Sequence, residues 1–321
     1  MTTANAALQR QLSEGILAFP ATPFSADGSL DESGFARHID DIAASHPIAM
    51  VPAGGAGELF SISVAEHRRL TEIAVAGAGA IPVIAGAGGG LAIATEMAVA
   101  AERAGAAGVL VFPPYLITAE QQGLAAYLER VCKAVSIAVI VYSRNNGIIA
   151  PDTALRLADA CPNLIAVKDG AGDFEALVSL RQRAGDRLIL INGVPTAEIV
   201  ARQFLAMGIR SYTSAVFTFL PAVARRYYAA LRDGDTAMVD RLLGEFYVPL
   251  SVLRNRKRGY AVALVKAGLR AVGRPAGKVR PPLIDLSPAE ERELAALIER
   301  AEGVIAQGAT HRPAAVAAAM R

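Results

Sequence analysis

The 321-residue sequence has no tryptophan, two cysteines, four histidines and five lysines against 27 arginines, and aromatics make up only 6% of it. Each scarcity excludes something. Cys132 and Cys161 stand in helical and pre-strand contexts without metal-ligand spacing, so both read as reduced packing residues of a cytoplasmic protein. His38, His46, His67 and His311 are scattered and have no ligand partner at helical spacing, so no metal site is expected. A formal charge of +2 creates no field that would recruit nucleic acid or an acidic membrane surface. No apolar stretch approaches the length needed to span a bilayer, and residues 1–14 carry no signal-peptide core. The longest basic run, Arg254-Asn255-Arg256-Lys257-Arg258, reads as a solvated helix end rather than a binding patch.

What is abundant is alanine and glycine within a hydrophobic share of 53%, enough for a large core of closely packed helices and tight turns. Short apolar runs recur with helix-length amphipathic stretches between them, the pattern of a repeated βα unit. Strands are predicted at 15–19, 48–52, 81–85, 108–112, 137–142, 164–168, 188–192 and 209–213. Eight such units make an α/β protein of the (β/α)8 TIM-barrel class, with an open doubly wound sheet as the competing arrangement. Helical patterns at 222–232, 236–253 and 260–272 follow without strands, and one more, 288–302, starts at Ser287-Pro288. The expected organisation is an N-terminal segment over 1–14, a barrel carrying the active site over 15–232, a C-terminal helical region over 233–303 and a flexible tail over 304–321.

In a barrel the chemistry sits at the C-terminal ends of the strands. Leu164-Ile165-Ala166-Val167-Lys168-Asp169-Gly170 ends an apolar run with a lysine, which a low-dielectric barrel mouth can hold as a nucleophilic amine. The same lysine could instead snorkel to solvent or pair with Asp169. Tyr142 ends the preceding strand and could move protons for imine chemistry beside Lys168, or simply plug the barrel mouth. The glycine-rich run Gly54 to Gly57 offers backbone N–H groups to an anion. A dinucleotide loop is disfavoured there, because the next strand runs into Gly86-Ala87-Gly88 and supplies no acidic residue for a ribose.

The motifs Lys-Asp-Gly at 168–170, Pro-Pro-Tyr-Leu at 113–116, Tyr-x-Arg-x-Asn at 142–146, Gly-x-Pro-Thr-Ala-Glu at 193–198 and Ser-Ala-Val-Phe at 214–217 occur in order. Gly-Tyr-Ala-Val-x-Leu-Val-Lys-Ala-Gly at 259–268 and Val-Arg-Pro-Pro-Leu at 279–283 follow. Together they resemble the dihydrodipicolinate synthase and N-acetylneuraminate lyase superfamily of Schiff-base lyases. Within it they are most similar to the 5-dehydro-4-deoxyglucarate dehydratase family. The resemblance runs from Gly15 to about Pro282. It implies that Lys168 forms the Schiff base and Tyr142 transfers protons, and that no external cofactor is needed because the imine is the electron sink. It also implies a small keto-acid substrate and a homo-oligomer, usually a tetramer in this superfamily.

On that resemblance, the amides of Gly55, Ala56 and Gly57 would hold the carboxylate beside the keto carbon and Arg144 could grip the far one. Arg144 could equally be structural, and Asn146, Thr213 and Ser214 are further hydrogen-bonding candidates. Three positions depart from the dehydratase pattern: Ala56 stands where threonine is common, and Ser143 and Asn145 stand where Asn and Asp are usual. Gly55 and Leu116 stand where the synthases carry a threonine and a second tyrosine, which points away from the synthases. The implied reaction is decarboxylating dehydration of 5-dehydro-4-deoxy-D-glucarate to 2,5-dioxopentanoate. A related lyase acting on another 2-keto acid, or a ligand-binding relative that turns nothing over, stays open beside it.

Overall fold

A computed structural model of the chain describes residues 1–274 and 276–310. Eight parallel strands form one sheet: β1 (Glu14–Ala18), β2 (Ala49–Met50), β3 (Ile84–Ala87), β4 (Gly108–Val111), β5 (Ala138–Ser143), β6 (Leu164–Asp169), β7 (Ile189–Asn192) and β8 (Arg210–Ser214). Their order is β2-β1-β8-β7-β6-β5-β4-β3, and a parallel bridge between Met50 and Val83 joins the two ends. The Met50 amide donates to the Pro82 carbonyl and the Gly86 amide to Pro52, each at 3.0 Å, so the barrel closes. The (β/α)8 expectation therefore holds and the open sheet does not.

The strand boundaries differ from the predicted ones mainly at β3, which starts at Ile84 rather than at 81. Pro82 has no N–H to give a ladder, and Ile81 donates to the Ala78 carbonyl in the preceding turn instead. The predicted strand at 48–52 shrinks to two residues in β2, although the amides of Ile48 and Val51 still donate to the carbonyls of Ile16 and Ala18.

Seven helices pack outside the barrel: α2 (Glu32–Ala43), α3 (Val64–Gly77), α4 (Leu91–Arg103), α5 (Gln121–Lys133), α6 (Pro151–Ala160), α7 (Phe174–Ala184) and α8 (Ala201–Ala206). The eighth is α9 (Pro221–Asp233). The N-terminal segment is itself a helix, α1 (Thr3–Leu12), whose Leu8 and Leu12 join the barrel-interior cluster of Leu17, Val51, Ile84, Ile140 and Ile191. Gln9 fixes it there by donating to the carbonyls of Ile165 and Arg187. Cys132 and Cys161 are free, buried and part of one apolar cluster of the helical layer.

The pleat decides which side chains face inward. Along β5, Ala138, Ile140 and Tyr142 belong to the interior cluster, while Val139 and Val141 pack against the outer helices. Opposite them β6 contains an irregularity: Val139 pairs with Leu164 but Ile140 pairs with Ala166, leaving Ile165 as the extra residue. Such a bulge reverses the in-out phase of everything after it. It places Ala166 and Lys168 inward, with Lys168 in register with Tyr142 on one side and Ile191 on the other.

The C-terminal region comprises α10 (Thr236–Leu242), a π-helical turn (Leu243–Tyr247), α11 (Val248–Asn255), α12 (Tyr260–Ala271) and α13 (Pro288–Thr310). One helix was expected over 236–253. Pro249 in the first turn of α11 cannot donate back along the chain, and the wider π turn just before it absorbs the mismatch. The last helix starts as predicted: Ser287 and Glu290 cap each other reciprocally. It continues past 302 to Thr310, because Val304 is buried against the C-terminal cluster. Of the tail expected over 304–321, residues 311–321 lie outside the described residues, as do His311 and Pro275.

Candidate active site

Lys168 is the penultimate residue of β6, inside the barrel mouth, and is 5% exposed. Its Nζ lies 3.5 Å from the centre of the Tyr142 ring and 4.8 Å from that of Phe19. Burial lowers the Lys168 pKa from the ordinary lysine value, the nearby phenol opposes that shift, and the Arg144 guanidinium adds to it. Asp169 does not compete for the ammonium. Its carboxylate accepts from the amides of Ala171 and Gly172, so the alternative of a Lys168–Asp169 pair falls away. Snorkelling falls away too, since the amine is enclosed.

Tyr142 stands edge-on to Phe112, with ring centres 5.4 Å apart. Its hydroxyl donates to the Gly193 carbonyl at 2.9 Å and accepts from Arg144 Nη1 at 3.1 Å. Burial pushes the phenol pKa up, but the charges of Lys168 and Arg144 outweigh it and the net shift is downward. Amine and phenol are thus both shifted toward releasing a proton more readily than in water. Gly193 makes room for them: a Cβ there would sit 2.5 Å from Lys168 Cγ and 2.6 Å from Cε.

A cavity of about 270 Å³ opens over this pair. Its floor is formed by Phe19, Tyr142, Lys168 and Thr213 of the barrel, and its other walls include Gly55 and Ala56, the loop Gly193 to Thr196, and Leu250, Arg254, Val262 and Val265 of α11 and α12.

Residues 12–301 match the model of the dihydrodipicolinate synthetase family. This chain belongs to that family. Among curated relatives, a protein of Rhizobium rhizogenes named "Probable 5-dehydro-4-deoxyglucarate dehydratase" is 47% identical over 92% of this chain and 98% of its own length. One of the same name from Xanthomonas campestris is 49% identical over 91% of this chain and 96% of its own length. Among solved structures, dihydrodipicolinate synthase from Bacillus clausii superposes with a TM-score of 0.83 at 27% identity, covering 91% of this chain and 98% of that one. A prophage protein of the dihydrodipicolinic acid synthase family from E. coli K12, solved in complex with pyruvate, gives 0.81 at 26% identity, covering 91% of this chain and 99% of that one.

In this member of the dihydrodipicolinate synthetase family, six of the residues singled out from sequence share the cavity: Lys168, Tyr142, Gly55, Ala56, Arg144 and Thr213. Among the described residues, the amides of Gly55, Ala56 and Gly57 donate to no carbonyl, which leaves them free for an anion. Gly57 is not on the cavity wall; its carbonyl accepts from Thr22. Asn146 donates to the carbonyls of Pro114 and Ile117 and so staples the loop after β4, outside the cavity. Ser214 is next to Thr213 on the pleat and therefore faces the other way, where it donates to Glu198 and accepts from the Phe217 amide.

Two ionisable cavity residues were not singled out as site residues. Glu198 is 1% exposed and burial raises its pKa from 4.5 to about 7. Arg254 belongs to the run read as a solvated helix end, and that reading is corrected for it. Arg256 pairs with Glu293 outside, whereas Arg254 turns inward, half-buried, and donates to Thr196 Oγ1. No signal in the basic run separates Arg254 from its neighbours; the contact with Thr196 that does so exists only in the fold.

Proposed function

We propose that the protein is a decarboxylating dehydratase acting on 5-dehydro-4-deoxy-D-glucarate through a Schiff base at Lys168. The observation that carries this reading is the buried amine of Lys168 against the Tyr142 ring, with the phenol held by Gly193 and Arg144. The shared name of relatives at 47% and 49% identity supports the substrate.

The neutral fraction of the Lys168 amine attacks the keto carbon, and Tyr142 carries protons as the carbinolamine loses water. The near carboxylate lies against the free amides of Gly55 and Ala56. Iminium formation acidifies the adjacent methylene; loss of one proton gives an enamine that expels the next hydroxyl as water. The conjugated iminium then accepts the electron pair released when the far carboxylate leaves as carbon dioxide. Reprotonation and hydrolysis regenerate the lysine and release 2,5-dioxopentanoate. Tyr142 and Arg144 act on the protons and charge at the imine, and Thr213 faces the same space.

A related lyase acting on another 2-keto acid is favoured by one observation, the missing hydroxyl at Ala56 on the cavity wall. A hydrogen bond to a charged group is worth roughly 1.5–3 kcal/mol, so its loss weakens a carboxylate site without removing the amides. We include in the proposal a homo-oligomer, supported by the exposed apolar run Tyr115-Leu116-Ile117 on the loop after β4, and a cytoplasmic location, supported by two unpaired cysteines.

Borohydride reduction in the presence of substrate, followed by peptide mass spectrometry, tests the covalent step. A reduced adduct on the peptide carrying Lys168 is expected, and its absence from a protein that still turns over substrate would rule out the imine.

A further inference from the structure

We infer that Arg254, contributed by the C-terminal helical region, is the specificity-determining residue that binds the second carboxylate of a dicarboxylic keto-acid substrate. The inference rests on the reading of the cavity as a keto-acid site and adds which residue selects a diacid over a monoacid.

The cavity is built with more positive charge than one carboxylate can use. Lys168, Arg144 and Arg254 all line it, and the one carboxyl group on its wall is Glu198. Among the described residues, neither Arg144 nor Arg254 has a carboxylate within ion-pair distance, whereas Arg256, two residues after Arg254, pairs with Glu293 at 2.6 Å. The hydrogen bonds of Arg254 go to neutral oxygens: Thr196 Oγ1, Ser251 Oγ at 3.4 Å, and Asn255 Oδ1 at 3.1 Å from Nε and 3.0 Å from Nη2. A half-buried guanidinium with no carboxylate in ion-pair contact is costly unless an anion arrives. Burial and repulsion from Arg144 lower its pKa, and the weaker attraction to Glu198 opposes them.

The loop beneath it is shaped for this contact. Thr196 has a φ of 51°, a left-handed conformation that a β-branched residue rarely adopts, and its hydroxyl is the group Arg254 holds. Strain of that kind persists where the surroundings fix it, commonly at ligand sites.

The two arginines divide the work. Arg144 Nη1 is committed to the Tyr142 hydroxyl at 3.1 Å, beside the amine, so it serves the reacting end. Arg254 stands on the wall made by α11 and α12 and has no link to Tyr142 or Lys168. A diacid attached at Lys168 therefore meets a second cation, while a monoacid of equal length leaves that cation desolvated and unpaired. Because the far carboxylate loses its charge on leaving as carbon dioxide, this contact strengthens substrate binding more than the transition state, and its loss should raise KM more than it lowers kcat.

Calorimetric titration of the full chain with 2-oxoadipate and with 2-oxohexanoate, six-carbon 2-keto acids with and without the second carboxylate, tests the inference. Wild type is expected to prefer the diacid. Arg254→Gln should cut that preference by about ten- to a hundred-fold, with the loss falling on the diacid, and Arg254→Lys should keep part of it. Arg144→Gln should weaken both acids together. A wild type without diacid preference, or an Arg254→Gln protein whose preference stays within about twofold of wild type, overturns the assignment. Should the glutamine variant fail to fold, Thr196→Val, which removes the hydroxyl that seats the guanidinium, must lower the same ratio. Borohydride trapping of the same mixtures separates the two ideas. Absence of an adduct at Lys168 with the diacid preference intact defeats the imine reading and leaves the role of Arg254, and the converse result does the opposite.

Discussion

A lysine ammonium and a tyrosine phenol share one small apolar space at the mouth of this barrel, where burial and their mutual interaction shift their proton affinities and a third group adds to the shift. Arg144 depresses the pKa of both Lys168 and Tyr142. Arg144→Met is therefore expected to move the rise of adduct formation with pH to higher pH, because the amine then holds its proton longer; stopped-flow trapping across pH reads it. Glu198 offers a second test. Its folded pKa of about 7 lies above the ordinary 4.5, so the folded state binds more protons between those values. The raised carboxyl keeps stability highest below about pH 4.5 and loses it as pH rises toward about 7, on the order of 3 kcal/mol in all. Glu198→Gln should abolish that slope, and urea midpoints measured across the window will show whether it does. Lys168 and Tyr142 were legible in sequence because each ends an apolar run of strand length. Glu198 and Arg254 were not, because a carboxylate after a turn and an arginine in a basic run look solvated until the fold buries them.

At the level of elements, the decisive feature is the irregularity between β5 and β6 that leaves Ile165 unpaired and turns Lys168 inward. Nothing in the uniformly apolar run Leu164 to Val167 marks which residue is the extra one, so the strand could be read from sequence but its facing could not. Gly193, just after the next strand, is the companion device. Gly193→Ala would press a methyl group against Lys168 Cγ and Cε. Overpacking of this kind costs about 1–3 kcal/mol. The variant is expected to fold with a lowered denaturation midpoint and to lose most of its adduct-forming rate, whereas unchanged trapping kinetics would show that the lysine does not need that space. Helix boundaries were legible where caps are strong, as at Ser287, and missed at the π turn before Val248, because a proline in an otherwise continuous helical pattern does not say how the preceding turn will adjust to it.

At the scale of the whole molecule, the cavity exists because the C-terminal helices close over the barrel. A buried ion pair ties them down: Lys266 Nζ of α12 lies 2.6 Å from Glu58 Oε1, without hydrogen-bond alignment, in the loop that also carries Gly55 to Gly57. The same amine donates to the Lys278 carbonyl and lies 4.1 Å from the Phe24 ring centre, and Glu58 Oε2 accepts from the Arg280 amide. Removing one partner of a buried pair costs about 3–5 kcal/mol. Lys266→Met should therefore lower the urea midpoint sharply, and a variant as stable as wild type would show the pair to be dispensable. The barrel was legible as eight spaced apolar runs. That the helical region supplies a wall of the site was not, since no motif records a contact between segments some sixty residues apart.

The most direct test of the whole reading is the product balance. Purified protein is incubated with 5-dehydro-4-deoxy-D-glucarate while carbon dioxide and 2,5-dioxopentanoate are quantified together, for wild type and for Lys168→Ala. Equal release of both by wild type and of neither by the folded variant is expected. Release of a shorter keto acid without carbon dioxide, or undiminished turnover in the variant, would contradict a decarboxylating dehydratase that works through an imine at Lys168.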